Sequence, residues 1–163
     1  MARILPIRQD IGEGTWQSVV DHGIEAASQT WKAGALLVNS TGSLAEAVTA
    51  TTGYAGTLVG FALGPATGVA GSDVAFTPMC PNIITFSGSV DGTLVATNAP
   101  GTGSVAQTGV WSGIGIQRDA ASSTWFLCTT GTASAIVVGF IDPPGTVNGR
   151  VRIRMLQAST LLI

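Results

Sequence analysis

The run Thr57-Leu58-Val59-Gly60-Phe61-Ala62-Leu63-Gly64-Pro65 most narrows what this chain can fold into. It returns in altered form as Ala135-Ile136-Val137-Val138-Gly139-Phe140-Ile141-Asp142-Pro143-Pro144. Both copies hold Val-Gly-Phe inside an apolar stretch that proline soon ends. A run rich in branched and aromatic side chains and bounded by Gly and Pro reads as a strand buried on both faces. The glycine leaves room where another backbone or a large ring comes close. Neither run is long enough to cross a bilayer as a helix, so other strands have to cover both faces. The expectation is an all-β chain, a barrel or sandwich built around these two central strands.

The remaining segments agree with this. Residues 1–9 read as an extended arm, with Pro6 forbidding a central strand, that packs along its own barrel or reaches across to a neighbour. From Asp10 to Gln29 the chain is polar and acidic, with glycines at 12, 14 and 23, and is expected to be mostly loop with a short helical turn. The arm and this loop (1–29) precede a single β domain (30–163). Thr30–Asn39 reads as a strand closed by the turn Ser40-Thr41-Gly42-Ser43. Ser43-Leu44-Ala45-Glu46 has the form of a helix capping box, yet Val48 and the threonines that follow favour extended chain. Its β neighbours tip the reading to strand. Further strands are expected at 74–77, 82–87 and 93–97, the last after an Asp91-Gly92 turn. Residues 110–118 and 124–129 form the clearest hairpin. Arg150-Val151-Arg152-Ile153-Arg154-Met155 alternates as a half-exposed strand does. Many short strands divided by Gly/Pro turns point to a barrel or sandwich.

Function classes are bounded by charge. Of 163 residues, 45% are hydrophobic and only 10% are charged, where a globular chain usually has about a quarter charged. So few ionic groups cover a lone surface poorly, and the expectation is that copies of the chain or a larger assembly shield much of it. Such hydrophobicity excludes a disordered chain. A net charge of −2 argues against a nucleic-acid partner, and no membrane partner, signal peptide or spanning segment is expected. Cys80 and Cys128 stand far apart and read as buried thiols in a reducing compartment. With two thiols and one histidine, zinc is not expected.

No catalytic cluster emerges. Ser18, Asp21 and His22 are sequence neighbours, whereas triads draw their members from separate elements. Gly101-Thr-Gly103-Ser-Val-Ala106 loosely matches a dinucleotide fingerprint but lacks the strand before and the helix after. Asn39-Ser40-Thr41 is a glycosylation sequon in form and a turn in context. Asp73, Asp91, Asp119 and Asp142 are scattered. No catalytic, cofactor-binding or metal-binding residue is therefore expected, and the chain is not expected to be an enzyme. Trp16, Trp31, Trp111 and Trp125 could line a sugar platform, although packing is the commoner use of such rings. Arg150, Arg152 and Arg154 place three cations on one strand face. They read equally as a solvated edge that discourages aggregation and as a docking stripe for an acidic patch on a partner or a neighbouring copy.

Several stretches together resemble the capsid decoration, or cement, proteins of tailed phages. They are Glu25-Ala-Ala-Ser-Gln-Thr-Trp-Lys-Ala-Gly-Ala-Leu-Leu-Val38, the Ser/Thr/Gly turn with Leu44–Thr52, Leu58-Val-Gly-Phe-Ala62, and the late Val-Asn-Gly-Arg-Val-Arg-Ile strand from Val147. The resemblance runs over most of the chain from Glu25 onward. It implies a virion structural protein, assembled in the host cytoplasm, that sits on the outer surface of an icosahedral head. Such a protein forms homotrimers and clamps adjacent major capsid subunits. The interface residues expected are Ile4, Leu5 and Ile7 of the arm and Arg150, Arg152 and Arg154 of the stripe. The alternative reading is a phage tail or baseplate component or a carbohydrate-binding β module.

Overall fold

In a computed structural model of the chain, residues 8–9, 20–47, 57–79, 85–89, 111–119, 123–128 and 132–161 are described. Among them the regular structure is β throughout, apart from one 3-10 turn at Gln157–Ser159. The strands are β1 (Arg8–Gln9), β2 (Asp21–Ile24), β3 (Leu36–Ser40), β4 (Ser43–Glu46), β5 (Leu58–Ala62), β6 (Asp73–Pro78), β7 (Thr85–Ser89), β8 (Gly113–Asp119), β9 (Thr124–Cys128), β10 (Ala135–Phe140) and β11 (Arg150–Met155). Two antiparallel sheets result, one of six strands ordered β1-β7-β11-β10-β8-β9 and one of five ordered β2-β6-β5-β3-β4. The smaller sheet curls into a half-barrel, its end strands β2 and β4 meeting through a Glu25–Leu44 bridge.

β5 behaves as its sequence requires, for all five of its residues are buried. Leu58 and Phe61 join the core between the sheets, packed in one cluster with Leu36, Ile114, Trp125, Val137 and Ile153. Val59 and Ala62 join a second core inside the half-barrel, with Trp31, Leu37, Leu44 and Phe76. A Cβ on Gly60 would overlap the Thr77 carbonyl oxygen and lie 2.6 Å from the Phe76 ring. Absence of a side chain here is what lets β6 approach.

The second Val-Gly-Phe strand departs from expectation. In β10 only Ala135 and Val137 are buried, while Ile136, Val138, Gly139 and Phe140 are half-buried. Its outer face belongs with the arginines of β11, which an apolar layer could not cover. Gly139 has open space around it and follows a register shift in the pairing with β11. That glycine marks a bulge, and no ring or backbone crosses it.

Two other expectations are refined, and a third holds. The stretch 10–29, expected to be mostly loop, contains the strand Asp21–Ile24, which pairs with β6, so the half-barrel draws on residues before Thr30. Gly23 suits this strand because Leu44 lies where its Cβ would go. The strand expected from Thr30 begins only at Leu36, since Gly34 turns the chain at φ 84°. The capping-box segment is strand β4, joined to β3 by the two-residue turn Thr41-Gly42 with φ 52° and 89°, the geometry hairpins favour.

The hairpin β8–β9 pairs Asp119 with Thr124 as the sequence indicates. Arg8–Gln9 pairs with β7 of the same chain. Ile4, Leu5, Ile7, Cys80, the 93–97 strand and the Gly101–Ala106 loop lie outside the described residues. No helix among the described residues is long and apolar enough to cross a membrane.

The two related glycines should therefore respond differently to the same change. Gly60→Ala is expected to cost about 1–3 kcal/mol through overpacking. Gly139→Ala should stay within about 0.5 kcal/mol, as surface changes do. Urea denaturation of both variants measures the difference.

Candidate interaction surfaces and the ions that order them

The arginine stripe forms as the alternation indicates. Arg150, Arg152 and Arg154 are half-buried on one face of β11, while Val151, Ile153 and Met155 point into the core. Cross-strand neighbours are Ser89, Ser87 and Thr85 on β7, with Gly139 beside Arg152 and Ile136 beside Arg154 on β10. Arg150 is committed within the subunit. The Asp142 carboxylate accepts from its backbone N–H at 2.8 Å, from Nε at 2.9 Å and from Nη2 at 2.9 Å. Those bonds hold the Asp142 pKa down, from its ordinary 3.8 to about 2. They also brace the β10–β11 loop, in which Thr146 and Gly149 donate to the Pro143 and Thr146 carbonyls. Arg154 Nε is buried without a hydrogen-bond partner among the described residues. The charge on offer from the stripe is thus at Arg154 more than at Arg150.

A second ionic centre was not legible in the sequence. Glu25 is only 1% exposed. Its carboxylate accepts from the Thr67 N–H, the Thr67 hydroxyl and the Gly68 N–H, each at 2.8 Å. Its backbone is tied to the same loop by Glu25 N–H to Ser72 O and Gly71 N–H to Glu25 O. Burial alone pushes this carboxyl up, but the bonds from Thr67 and Gly68 together outweigh it and the net pKa lies below the ordinary value. One acid therefore fastens the Gly/Pro-rich loop 64–72 across the end of the half-barrel. Only its place in a polar stretch hinted at it, because its partners are 42 and 43 positions away.

Of the imagined triad, Asp21 and His22 both lie on β2. Ser18 lies outside the described residues, and Asp21 accepts from the backbone N–H of His22 at 2.8 Å. The His22 ring instead meets the exposed Asp73 carboxylate, Nδ1 to Oδ2 at 2.8 Å. Asp73 and Asp142 thus belong to separate ion pairs on different sheets. Arg118 on β8 binds Glu46 on β4 at 3.0 Å and ties the sheets together. No group of three or more metal-ligating side chains occurs among the described residues.

Of the tryptophans, Trp31 and Trp125 are buried and Trp111 is 68% exposed, while Trp16 lies outside the described residues. Cys128 is a buried thiol on β9. The sequon is part of the β3–β4 turn, where Asn39 Oδ1 accepts from the Gly42 N–H. Beside that turn lies an open hollow of about 240 Å³. Ile24, Leu44, Val59, Phe76 and Leu161 give it apolar walls, and Asp21 and His22 also line it.

The chain matches no model of a known protein family and no curated protein sequence.

Both fastening carboxylates have folded-state pKa values below their unfolded ones. Their contribution is whole above the ordinary carboxylate range, about pH 4. It is lost as pH falls through the folded values, for Asp142 through about 2. Glu25→Gln puts an amide nitrogen among N–H donors, leaving at least one of them without an acceptor, and should cost about 1–3 kcal/mol. Denaturation curves from pH 7 to pH 2, with amide exchange at Thr67 and Gly68, check both expectations. The variant should show faster exchange at pH 7 and a shallower acid dependence.

Proposed function

We propose that this chain is a virion structural protein that decorates an icosahedral phage head, as a homotrimer binding across major capsid subunits. The observation that carries this reading is the distribution of charge against exposed apolar surface. The carboxylates of Glu25, Glu46 and Asp142 are engaged in fastening the subunit's own loops and sheets. Large apolar side chains meanwhile stand in solvent, among them Trp111, Val69, Ile24 and Val147. Isolated apolar residues on a surface are ordinary, but combined with so low a charge content they favour a subunit completed by its neighbours. The resemblance of Glu25–Val38, Leu58–Ala62 and the Val147 strand to decoration proteins gives the neighbour its identity, the outer surface of a head. The arginine stripe supplies a face for carboxylates on the capsid.

One observation favours a second reading, a carbohydrate-binding β module: Trp111 presents an open aromatic ring, the group on which sugars stack.

Undecorated heads incubated with the protein should carry it down on sedimentation, and Arg152→Glu with Arg154→Glu should weaken that binding at least tenfold. Heads that sediment without it would exclude the decorating role. A shift in tryptophan emission on adding glycans, absent in Trp111→Phe, would select the sugar-binding module instead.

A further inference from the structure

Alternation along β2 places Asp21 and Gly23 on one face of the strand and the exposed His22 and Ile24 on the other. Gly23 shows which face is the inner one, because a Cβ there would meet Leu44 and the Phe76 ring, both members of the core inside the half-barrel. Register sets Asp21 directly opposite Phe76, which is 2% exposed. The next acid along, Glu25, is buried and saturated by the donors of Thr67 and Gly68. Asp21 is treated differently. Among the described residues its carboxylate accepts one bond, from the N–H of its neighbour His22 at 2.8 Å, and makes no ion pair. An acid turned toward a core without a cation or a set of donors breaks the pattern of its strand, and such breaks gather at functional or strained sites.

The space that Asp21 helps to line is the hollow of about 240 Å³. Leu44, Val59 and Phe76 are its least exposed walls, each under a tenth accessible. Ile24 and Leu161 add apolar sides, and Leu161 is held in place by its N–H to Leu58 O at 2.8 Å. Asn39 and Ser43 contribute neutral polar groups, and the Asn39 Oδ1 is already taken by the Gly42 N–H. His22 also lines the hollow, but its ring is engaged through Nδ1 with Asp73, which does not. Asp21 is therefore the charge presented to whatever enters. Size bounds the occupant as well. An apolar cavity of about 150 Å³ admits benzene, whereas drug-sized ligands use upward of ~300 Å³. The hollow accordingly has room for one ring and a short chain.

We propose that the hollow is a binding site for a small organic cation, a ring-sized apolar body bearing one primary ammonium, with Asp21 as the counter-ion. The body covers Leu44, Val59 and Phe76, and the ammonium donates to the carboxylate oxygen that His22 leaves free. The apolar walls supply most of the affinity, and the carboxylate selects the sign of the ligand. This site is separate from the arginine stripe and does not depend on head decoration.

Phenethylammonium and 2-phenylethanol test it, since they differ in little but the charged group. Backbone amide spectra of the full chain, titrated with each, report where and how tightly they bind. A fragment of this size is expected to half-saturate at about millimolar concentration. The amine should move the Gly23 and Leu44 amides saturably and bind about fivefold more tightly than the alcohol, the upper end for a partly exposed ion pair. Asp21→Asn keeps a carbonyl oxygen for the His22 N–H, so β2 should be retained. In that variant the amine should fall to the affinity of the alcohol, while the alcohol binds as before. Equal binding of amine and alcohol to the unaltered chain, a comparison that needs no variant, would overturn the proposal. So would a preference for the amine that survives Asp21→Asn, or an amine titration that leaves Gly23 and Leu44 unmoved.

Discussion

Five consecutive residues with no solvent face, Leu58 to Ala62, set the architecture. A strand in that position needs a layer on each side. One side is met by the six-stranded sheet, through Trp125, Val137 and Ile153, and the other by the curl of its own sheet around Trp31, Leu44 and Phe76. Gly60 is the condition for both, since a Cβ there would run into the Thr77 carbonyl and the Phe76 ring. The C-terminal segment completes the arrangement when Leu161 N–H donates to Leu58 O, returning the end of the chain from one sheet to the centre of the other.

What could be read from the sequence was what local pattern encodes. Alternation in β11 gave the facing of its three arginines, and the Gly/Ser/Thr turns gave the β3–β4 and β8–β9 hairpins. Composition of a run, by contrast, did not reveal how many of its sides are covered. β5 and β10 share Val-Gly-Phe, yet one glycine is a close approach and the other a bulge. The difference lies in the strands beside them: β5 sits between β6 and β3, whereas β10 has the arginine strand as a neighbour. Glu25 and the hollow were illegible for the same reason. The bonds that define Glu25 span more than 40 positions, and the hollow is lined by side chains drawn from as far apart as Asp21 and Leu161.

The scarce ions have a common position. Glu25 holds loop 64–72, Asp142 and Arg150 hold the β10–β11 loop, Glu46 and Arg118 join the sheets, and His22 and Asp73 link β2 with β6. Exposed single pairs add little stability on their own, and the value of these lies in fixing where loops stand. Glu25 is the strongest instance, a carboxylate held by the neutral donors of Thr67 and Gly68 through hydrogen bonds that each gain from its charge.

Fixed loops and a sparsely charged exterior fit one another physically. An apolar surface that associates loses least when the groups it presents are ordered beforehand, because less freedom remains to be removed on contact. The backbone bonds at Trp111 and the bracing at Asp142 supply that order at one end of the six-stranded sheet. The Glu25–Leu44 bridge supplies it where β2 and β4 meet. With little charge to spread over its surface, the chain can discriminate among partners only where the charges are grouped. Four of the charged groups, Glu46, Arg118, Asp142 and Arg150, are already engaged inside the subunit, so ordered apolar groups carry more of that task.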